Sequence, residues 1–432
     1  MQQVDAFAGE EATRAAGPRA TSAEWRFAHL CTKAGLSLVL VFLLRRLGLV
    51  SMRFVIDSRY VRRRPSGIGT CVEALVERLP RLAPEQQFHV WTHPERPDPP
   101  AAPNLSHKVV SATADGAGTL LWPARLDSLA EDDVVHFPCG LLGRGIPCAT
   151  VVTINDLMWL EQPELVDARP FLRRVRQLYY QVGMRRAIER ATRIIAISQA
   201  TADRIVARLP EARARVRVTQ LAVNAAFYVA ADKGATIARA ATLVGSAAPF
   251  YLVVGKNEPY KAHDVALSAF AEGAGPDERL VLVQRTSSGR GLQRRVEQLG
   301  ISDRVLWLPD LTLPDLIVLL QSARALLQPS IVEGFGLPAL EAIACGCPVI
   351  ASDTPALVEV LGGAALHAAV GNAADFAQQI RRIRDDVLRS ELVVRGIERA
   401  RHFDWDLTAK ATLEVYQEAA AAGGSRARAH RN

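Results

Sequence analysis

The chain has 432 residues, 49% of them hydrophobic and 22% charged, with a formal net charge of +7. That length exceeds one ordinary hydrophobic core, so two domains are expected, and the composition excludes a largely disordered or fibrous chain. The positive balance suits phosphate-bearing ligands or an anionic surface, without choosing between nucleotide, nucleic acid and membrane. Six cysteines (Cys31, Cys71, Cys139, Cys148, Cys345 and Cys347) form no Cys-x-x-Cys pair, which argues against zinc and a disulfide framework and for a reducing compartment.

Residues 1–30 are alanine-rich and show no periodicity. A mainly apolar run, GLSLVLVFLL (35–44), is stopped by Arg45 and Arg46. A spanning helix needs about 20 apolar residues, so this run is too short to cross a bilayer cleanly. It reads as an interfacial anchor or as the core of a poor signal peptide, with no convincing small-residue cleavage site behind it. The simpler expectation is that 1–51 extends a fold that opens at Met52, as an appended tail or a mis-assigned start.

From Met52 onward apolar strands alternate with amphipathic helices. RFVIDS (53–58) reads as a strand, GIGTCVEALVERLPRL (67–82) as loop and helix, and QFHVWT, VVHFP and ATVVTIND as strands. FLRRVRQLYYQVGMRRAIERA (171–191) is a long helix, RIIAIS a buried strand, and QATADRIVARL a helix capped by Ser198 or Thr201. VRVTQLAV closes this half. The polar, alanine-rich stretch 231–248 reads as a linker. A second alternating set starts at FYLVVG (250–255) and runs through ALLQPS, PALEAIACG and PVIAS. Such alternation means parallel sheets covered on both faces, with ligands beyond the carboxyl ends of the strands.

The most informative stretch is PSIVEGFGLPALEAIACG (329–346). ALLQPS is the strand, IVEGFGL the loop at its carboxyl end, and Pro338 sits where a helix starts, with Gly346 past its end. Gly334, Phe335, Gly336 and Leu337 are expected to turn backbone N–H groups toward the cleft at a helix N-terminus, an anion site suited to phosphate. The glycines would let backbone approach the ligand closely. Glu333 stands before the turn and Glu341 follows in the helix. Two carboxylates beside a phosphate site make sense if they face hydroxyls, as sugars and riboses offer. The layout implies a phosphate held between two polyols, a nucleotide sugar.

Glu333 and Glu341 form a Glu-x7-Glu arrangement, and EGFGLPALEA resembles the retaining glycosyltransferases of family 4, which have the GT-B fold. SRYVRRRPSGIGT resembles their first glycine-rich loop, VVTINDL and RIIAIS their first-domain strands, VGKNEPYKAHDVALSAFA the opening of their second domain, and HFDWDLTAKATLEVYQEA their closing helix. The resemblance implies two doubly wound Rossmann-like domains facing across a cleft. The expected divisions are 52–230 for the first domain, 231–248 for the linker, 249–402 for the second, 403–422 for a helix crossing back to brace the first, and 423–432 as a disordered tail.

The resemblance also implies roles. Glu341 would hold the ribose hydroxyls and Glu333 the transferred sugar. Lys256 and Lys261 would grip the diphosphate, whose charge grows as it leaves. Gly67 and Gly69 would bring loop N–H groups to the same phosphates, and the base would lie near 307–311. Lys256 departs from a position that is often Arg, giving a point charge rather than a fork. Asn155 stands where many relatives have His, so no general base is assigned. Asn155 and Asp156 are expected to contact acceptor or sugar. No metal or other cofactor is expected. The acceptor would be a glycan, a lipid-linked carrier or a small molecule, the sugar mannose or glucose, and the location cytoplasmic, with peripheral contact at the inner membrane surface.

Other readings remain. The glycine-rich turn alone could be a tight strand-to-helix connection, His136 a satisfied core histidine, His263 a cap or solvent-facing residue, and Cys345 and Cys347 small core residues. Eight arginines between Arg169 and Arg193 face one acid, Glu189; such a run is a solvated helix face or a surface for a lipid-linked acceptor. Other GT-B enzymes, inverting transferases or nucleotide-sugar epimerases, are the first alternative. A basic nucleic-acid-binding protein is the second, though scattered tryptophans offer no stacking platform and nucleic acid is not an expected partner.

Overall fold

The computed structural model describes residues 53–63, 66–96, 98–121, 126–166, 170–284, 290–309 and 311–429. The expected extension 1–51 lies outside them. Two parallel sheets organise the chain. The first contains β1 (Arg53–Asp57), β2 (Gln87–Thr92), β3 (Leu105–Val109), β4 (Val134–Phe137), β5 (Ala149–Ile154), β6 (Arg193–Ala196) and β7 (Val216–Val218), in the order β3-β2-β1-β4-β5-β6-β7. The second contains β8 (Phe250–Val254), β9 (Arg279–Val283), β10 (Val305–Leu308), β11 (Ala325–Gln328), β12 (Val349–Ser352) and β13 (Leu366–Ala368), in the order β10-β9-β8-β11-β12-β13. The central strands are continuous apolar runs because helices cover both faces: Val55, Val90, Val151, Leu252, Val281 and Leu326 are fully buried.

Each sheet reverses its strand order once, between β1 and β4 in the first and between β8 and β11 in the second. A ligand crevice opens at such a switch point, outside the carboxyl ends of the strands. The loops leaving β1, β8 and β11 there carry Gly67, Lys256 with Lys261, and Glu333.

The helices that matter for the site are α1 (Gly67–Leu82), α2 (Pro170–Arg190), α3 (Gln199–Arg208), α4 (Lys233–Val244), α5 (His263–Gly273), α6 (Leu313–Ser322), α7 (Leu337–Ala344), α8 (Pro355–Leu361) and α9 (Trp405–Ala429). Ser198, not Thr201, caps α3, its hydroxyl accepting from Thr201 N at 3.1 Å. On α2, Val175 and Leu178 are more than 60% exposed, with Val182 on the same side and Arg174 and Arg185 beside them. Among the described residues no helix is long and apolar enough to cross a membrane.

The structure corrects three expectations. The stretch 231–248 is built around helix α4, capped by Asp232, ended by Gly245 at φ 68° and packed on α6. It buries only Ala240 and Val244, which is why its sequence reads as polar linker. The closing helix starts at Trp405 and continues to Ala429, past the boundary set at 422, so the expected disordered tail is helical over most of its length. Gly423 and Gly424 suggest a stop because glycine is a poor helix former. A β-carbon on Gly423 would stand 2.9 Å from Ala149 Cβ, so this glycine lets α9 approach β5. Strand β3 was not expected: four of its five residues are exposed, leaving no apolar pattern to read.

Helix α9 packs on α1, β5 and β6 of the first domain. Tyr416 is buried and its ring lies 5.2 Å from that of Phe54. Its hydroxyl shares a 2.7 Å hydrogen bond with His136 Nδ1, and His136 Nε2 shares another with Thr153 Oγ1. Burial pushes the His136 pKa down to about 3, so the ring is neutral and fully used. Tyr416→Ala should lower the unfolding free energy by about 3–5 kcal/mol, and Tyr416→Phe, which strands Nδ1, by about 1–3 kcal/mol. Urea titration measures both; an alanine variant within about 1 kcal/mol of wild type would show that the helix end contributes little to the first domain.

Candidate active site

Strand β11 ends at Gln328, and Ser330 follows two residues on; both are buried, at 2% and 0% exposure. Their purpose appears one turn on. Glu333 Oε1 accepts from Gln328 Nε2 at 2.7 Å, from Ser330 Oγ at 2.8 Å and from Lys261 Nζ at 2.6 Å. Among the described residues nothing donates to Oε2. Gln328 and Ser330 carry a signal that sequence reading passed over: polar side chains at and just past the end of an otherwise apolar strand, shortly before an acid.

Lys261 closes a short 3-10 turn (Pro259–Lys261) after β8, and Ile331 N donates to Tyr260 O at 2.8 Å, tying this turn to the β11 loop. The turn leads into Ala262 at φ 46°, a left-handed conformation that costs a residue with a β-carbon about 1–3 kcal/mol. Burial works to lower the Lys261 pKa, but the Glu333 carboxylate outweighs it and holds the ammonium above its ordinary value. The pair is therefore an ionised bridge, both side chains nearly enclosed. Lys256 differs: it is exposed and has no partner among the described residues. It follows Gly255, whose φ of 132° only glycine adopts readily.

Helix α7 begins at Leu337, with Gly336 as its N-cap at φ 102° and Pro338 at the second helical position, one later than expected. Glu341 lies partly exposed on this helix, and its carboxylate has no hydrogen-bond partner among the described residues. Burial pushes its pKa up to about 8. A carboxyl group this poorly satisfied is suited to a ligand that brings hydroxyl donors.

The glycines turn out to serve the protein more than the ligand. A β-carbon on Gly334 would stand 1.8 Å from the Asn155 carbonyl oxygen, so the close approach is to the first domain. Gly69 N–H donates to Ser66 Oγ at 3.0 Å as part of the α1 cap, and a β-carbon there would meet Tyr60 O at 2.6 Å. Gly69 is thus not free to bind phosphate. Gly67, the first residue of α1, remains exposed, and its missing β-carbon faces Leu337 Cδ1 at 3.7 Å, bringing the N-termini of α1 and α7 together. Phe335 contributes backbone only: its ring is buried edge-on against Phe403, centroids 5.7 Å apart.

Asn155 donates its side-chain amide to Pro138 O at 3.0 Å, which ties the ends of β4 and β5. Asp156 accepts from Met158 N at 2.9 Å. Burial raises its pKa, with the nearby Glu333 charge adding to the rise and Arg204 and Lys261 opposing it. Asp156 thus feels the charges of the Glu333–Lys261 pair. His263 is not a cap or solvent-facing: it is 3% exposed, its Nδ1 lies 2.6 Å from Gln284 Nε2, and burial lowers its pKa to about 4. Cys345 and Cys347 are buried, as expected. Trp307 and Leu308, near which the base was expected, end β10; position 310 lies outside the described residues.

Glu341 gives the site a measurable pH signature. Its folded pKa of about 8 lies above the unfolded value of 4.5, so the folded state binds the proton more tightly. Its contribution to stability is therefore present below pH 4.5 and lost as pH rises to about 8. Glu341→Gln should gain in melting temperature relative to wild type between pH 5 and pH 8; a difference that stays constant over that window would mean that Glu341 is not buried in this way.

Comparison with known proteins places this geometry. A model described as "Glycosyltransferase Family 4" matches residues 65–227, and one described as "Glycosyl transferases group 1" matches residues 236–403. The chain is 33% identical over 262 residues to a protein of Salinispora tropica named D-inositol 3-phosphate glycosyltransferase, covering 56% of this chain and 54% of that one. It is 32% identical over 285 residues to the Mycobacterium leprae protein of the same name, covering 62% and 63%. The matches thus span between half and two thirds of these relatives. Among solved structures, a sucrose-phosphate synthase from Thermosynechococcus elongatus superposes with a TM-score of 0.64 at 19% identity, covering 85% of this chain and 98% of that one. HepE of Anabaena, in complex with UDP and glucose, superposes with a TM-score of 0.62 at 16% identity, covering 84% and 98%. At these identities the structures establish the shared two-domain GT-B architecture.

Proposed function

This chain belongs to the group 1, family 4 glycosyltransferases, and we propose that it moves a hexosyl group, mannose or glucose, from a nucleoside-diphosphate sugar to a hydroxyl acceptor with retention of anomeric configuration. The observation that carries the reading is the pair of carboxylates on one turn and helix, in opposite states. Glu333 is ionised on Lys261 with Oε2 open, and Glu341 is unsatisfied and waiting for donors. In this reading Glu341 takes the ribose hydroxyls, and the N-terminus of α7 with Lys256 and Lys261 takes the diphosphate. Glu333 Oε2 takes a hydroxyl of the sugar. The anomeric carbon–phosphate oxygen bond breaks, the acceptor oxygen bonds on the face just vacated, and its proton passes to the departing phosphate. Lysines and a helix end supply the positive charge, without a metal. The named relatives favour a small phosphorylated polyol as acceptor, and the HepE complexes favour uridine in the donor.

The two glutamates should separate by experiment. Glu341→Gln is expected to weaken free nucleoside diphosphate about ten-fold or more, because the ribose is common to diphosphate and donor. Glu333→Gln should leave that affinity nearly intact and depress turnover, because its partner is the reacting sugar. Isothermal titration with the diphosphate beside initial rates with whole donor tests both; equal losses of diphosphate affinity would refute one carboxylate per polyol. Transfer should also persist in excess EDTA. Activity lost in EDTA and restored by Mn²⁺ would overturn the metal-free account.

A further inference from the structure

The backbone turn from Glu333 to Phe335 is anchored from both domains. On one side the Glu333 carboxylate is fixed to Lys261, Gln328 and Ser330 of the second domain. On the other the Gly334 carbonyl accepts a 2.7 Å hydrogen bond from Ser198 Oγ of the first, with Thr201 Oγ1 at 3.4 Å. Ser198 is fully buried. A second contact seals the same seam in the opposite direction. Glu359, on α8 of the second domain, reaches the N-terminus of α3 in the first: Gln199 N donates to Oε1 at 2.8 Å and Ala200 N to Oε2 at 2.9 Å. Gln220 Nε2 also donates to Oε1, at 3.0 Å. A carboxylate on a helix N-terminus meets both the free N–H groups and the positive end of the dipole. Arg399 holds Glu359 from behind, donating to its backbone oxygen at 2.7 Å and to Val360 O at 2.9 Å.

We propose that Ser198 and Glu359 are positioning residues that make closure of the two domains and assembly of the donor site a single event. When Glu359 caps α3, Ser198 is brought onto the Gly334 carbonyl and Gly334 is seated against Asn155. That fixes the Gly334–Phe335 peptide and, through the turn that carries Glu333, the direction of Oε2. Opening the seam frees this peptide and leaves the nucleotide contacts of Glu341 and the lysines within the second domain untouched. The inference rests on the transferase reading above and adds where the geometry for the chemical step is set.

The test uses the full chain with Ser198→Ala, Ser198→Thr and Glu359→Ala. Nucleoside diphosphate affinity is read by titration, turnover with the donor that wild type accepts, and the radius of gyration by small-angle scattering. Ser198→Ala should lower kcat roughly five- to ten-fold with diphosphate affinity within about two-fold of wild type. Ser198→Thr, which keeps a hydroxyl for both cap and carbonyl, should recover most of that loss. Glu359→Ala, far from the nucleotide contacts, should repeat the kcat loss and raise the radius of gyration; it decides the matter if Ser198→Ala does not fold. If Ser198 only caps α3, its alanine variant loses melting temperature and keeps kcat, and the proposal falls. Equal losses of kcat and diphosphate affinity in both variants overturn it as well. Failure of wild type itself to bind any nucleoside diphosphate would instead remove the transferase reading.

Discussion

The site depends on how a carboxylate can be kept at the apolar end of a parallel strand. Glu333 is nearly enclosed, and an ionised carboxylate there is tolerable only because three donors converge on Oε1. The donors come from two places: Gln328 and Ser330 from the end of β11, and Lys261 from the turn after β8. Those are the strands flanking the switch point of the second sheet. Sheet register therefore fixes the carboxylate, and the carboxylate fixes Lys261. One oxygen is fully used in structure, which leaves Oε2 as the atom aimed at a ligand. Loss of any one donor would leave charge short of partners in a dry setting, a change that costs several kcal/mol.

Glu341 shows the opposite arrangement eight residues later. Among the described residues nothing donates to it, and burial raises its proton affinity. Between the two lies the start of α7, where backbone N–H groups and the helix dipole favour negative charge. In the proposed reading, one carboxylate satisfied, one without donors among the described residues and a helix N-terminus between them suit a ligand with hydroxyls at both ends and charge in the middle. Lys256 fits that proposal as the free partner: exposed and unpaired among the described residues, it would move onto a diphosphate without leaving a counter-ion, whereas Lys261 shares itself with Glu333.

Most of the architecture was legible because parallel strands buried on both faces leave continuous apolar runs, and nearly every such run became a strand. The edge strand β3 was not legible because its side chains face water. Helix α4 buries two residues and reads as polar linker; α9 outruns its expected end because a glycine that weakens a helix also lets it lie against β5. The spacing put Glu333 before a glycine turn and Glu341 on the helix after it, as the structure has them, but the reasons for the glycines were not readable. Gly334 and Gly69 are needed where backbone from elsewhere in the fold comes close, at Asn155 and Tyr60, and no local pattern encodes such a neighbour. His263 misled for the same reason: its partner Gln284 is distant in sequence and meets it only once β9 is laid beside β8. Gln328 and Ser330 could have been found, since a polar pair at and just past the end of an apolar strand needs a partner.

The central claim is that one turn and one helix hold a nucleotide sugar by its two polyols with the diphosphate between them. A structure of the chain with a nucleoside diphosphate bound tests it most directly. The account requires both ribose hydroxyls within hydrogen-bond distance of the Glu341 carboxylate, the diphosphate at the N-terminus of α7 with Lys256 drawn onto it, and Glu333 Oε2 still open beyond the terminal phosphate. A ribose placed on Glu333, or a diphosphate bound away from α7 with Glu341 still unpartnered, would contradict it.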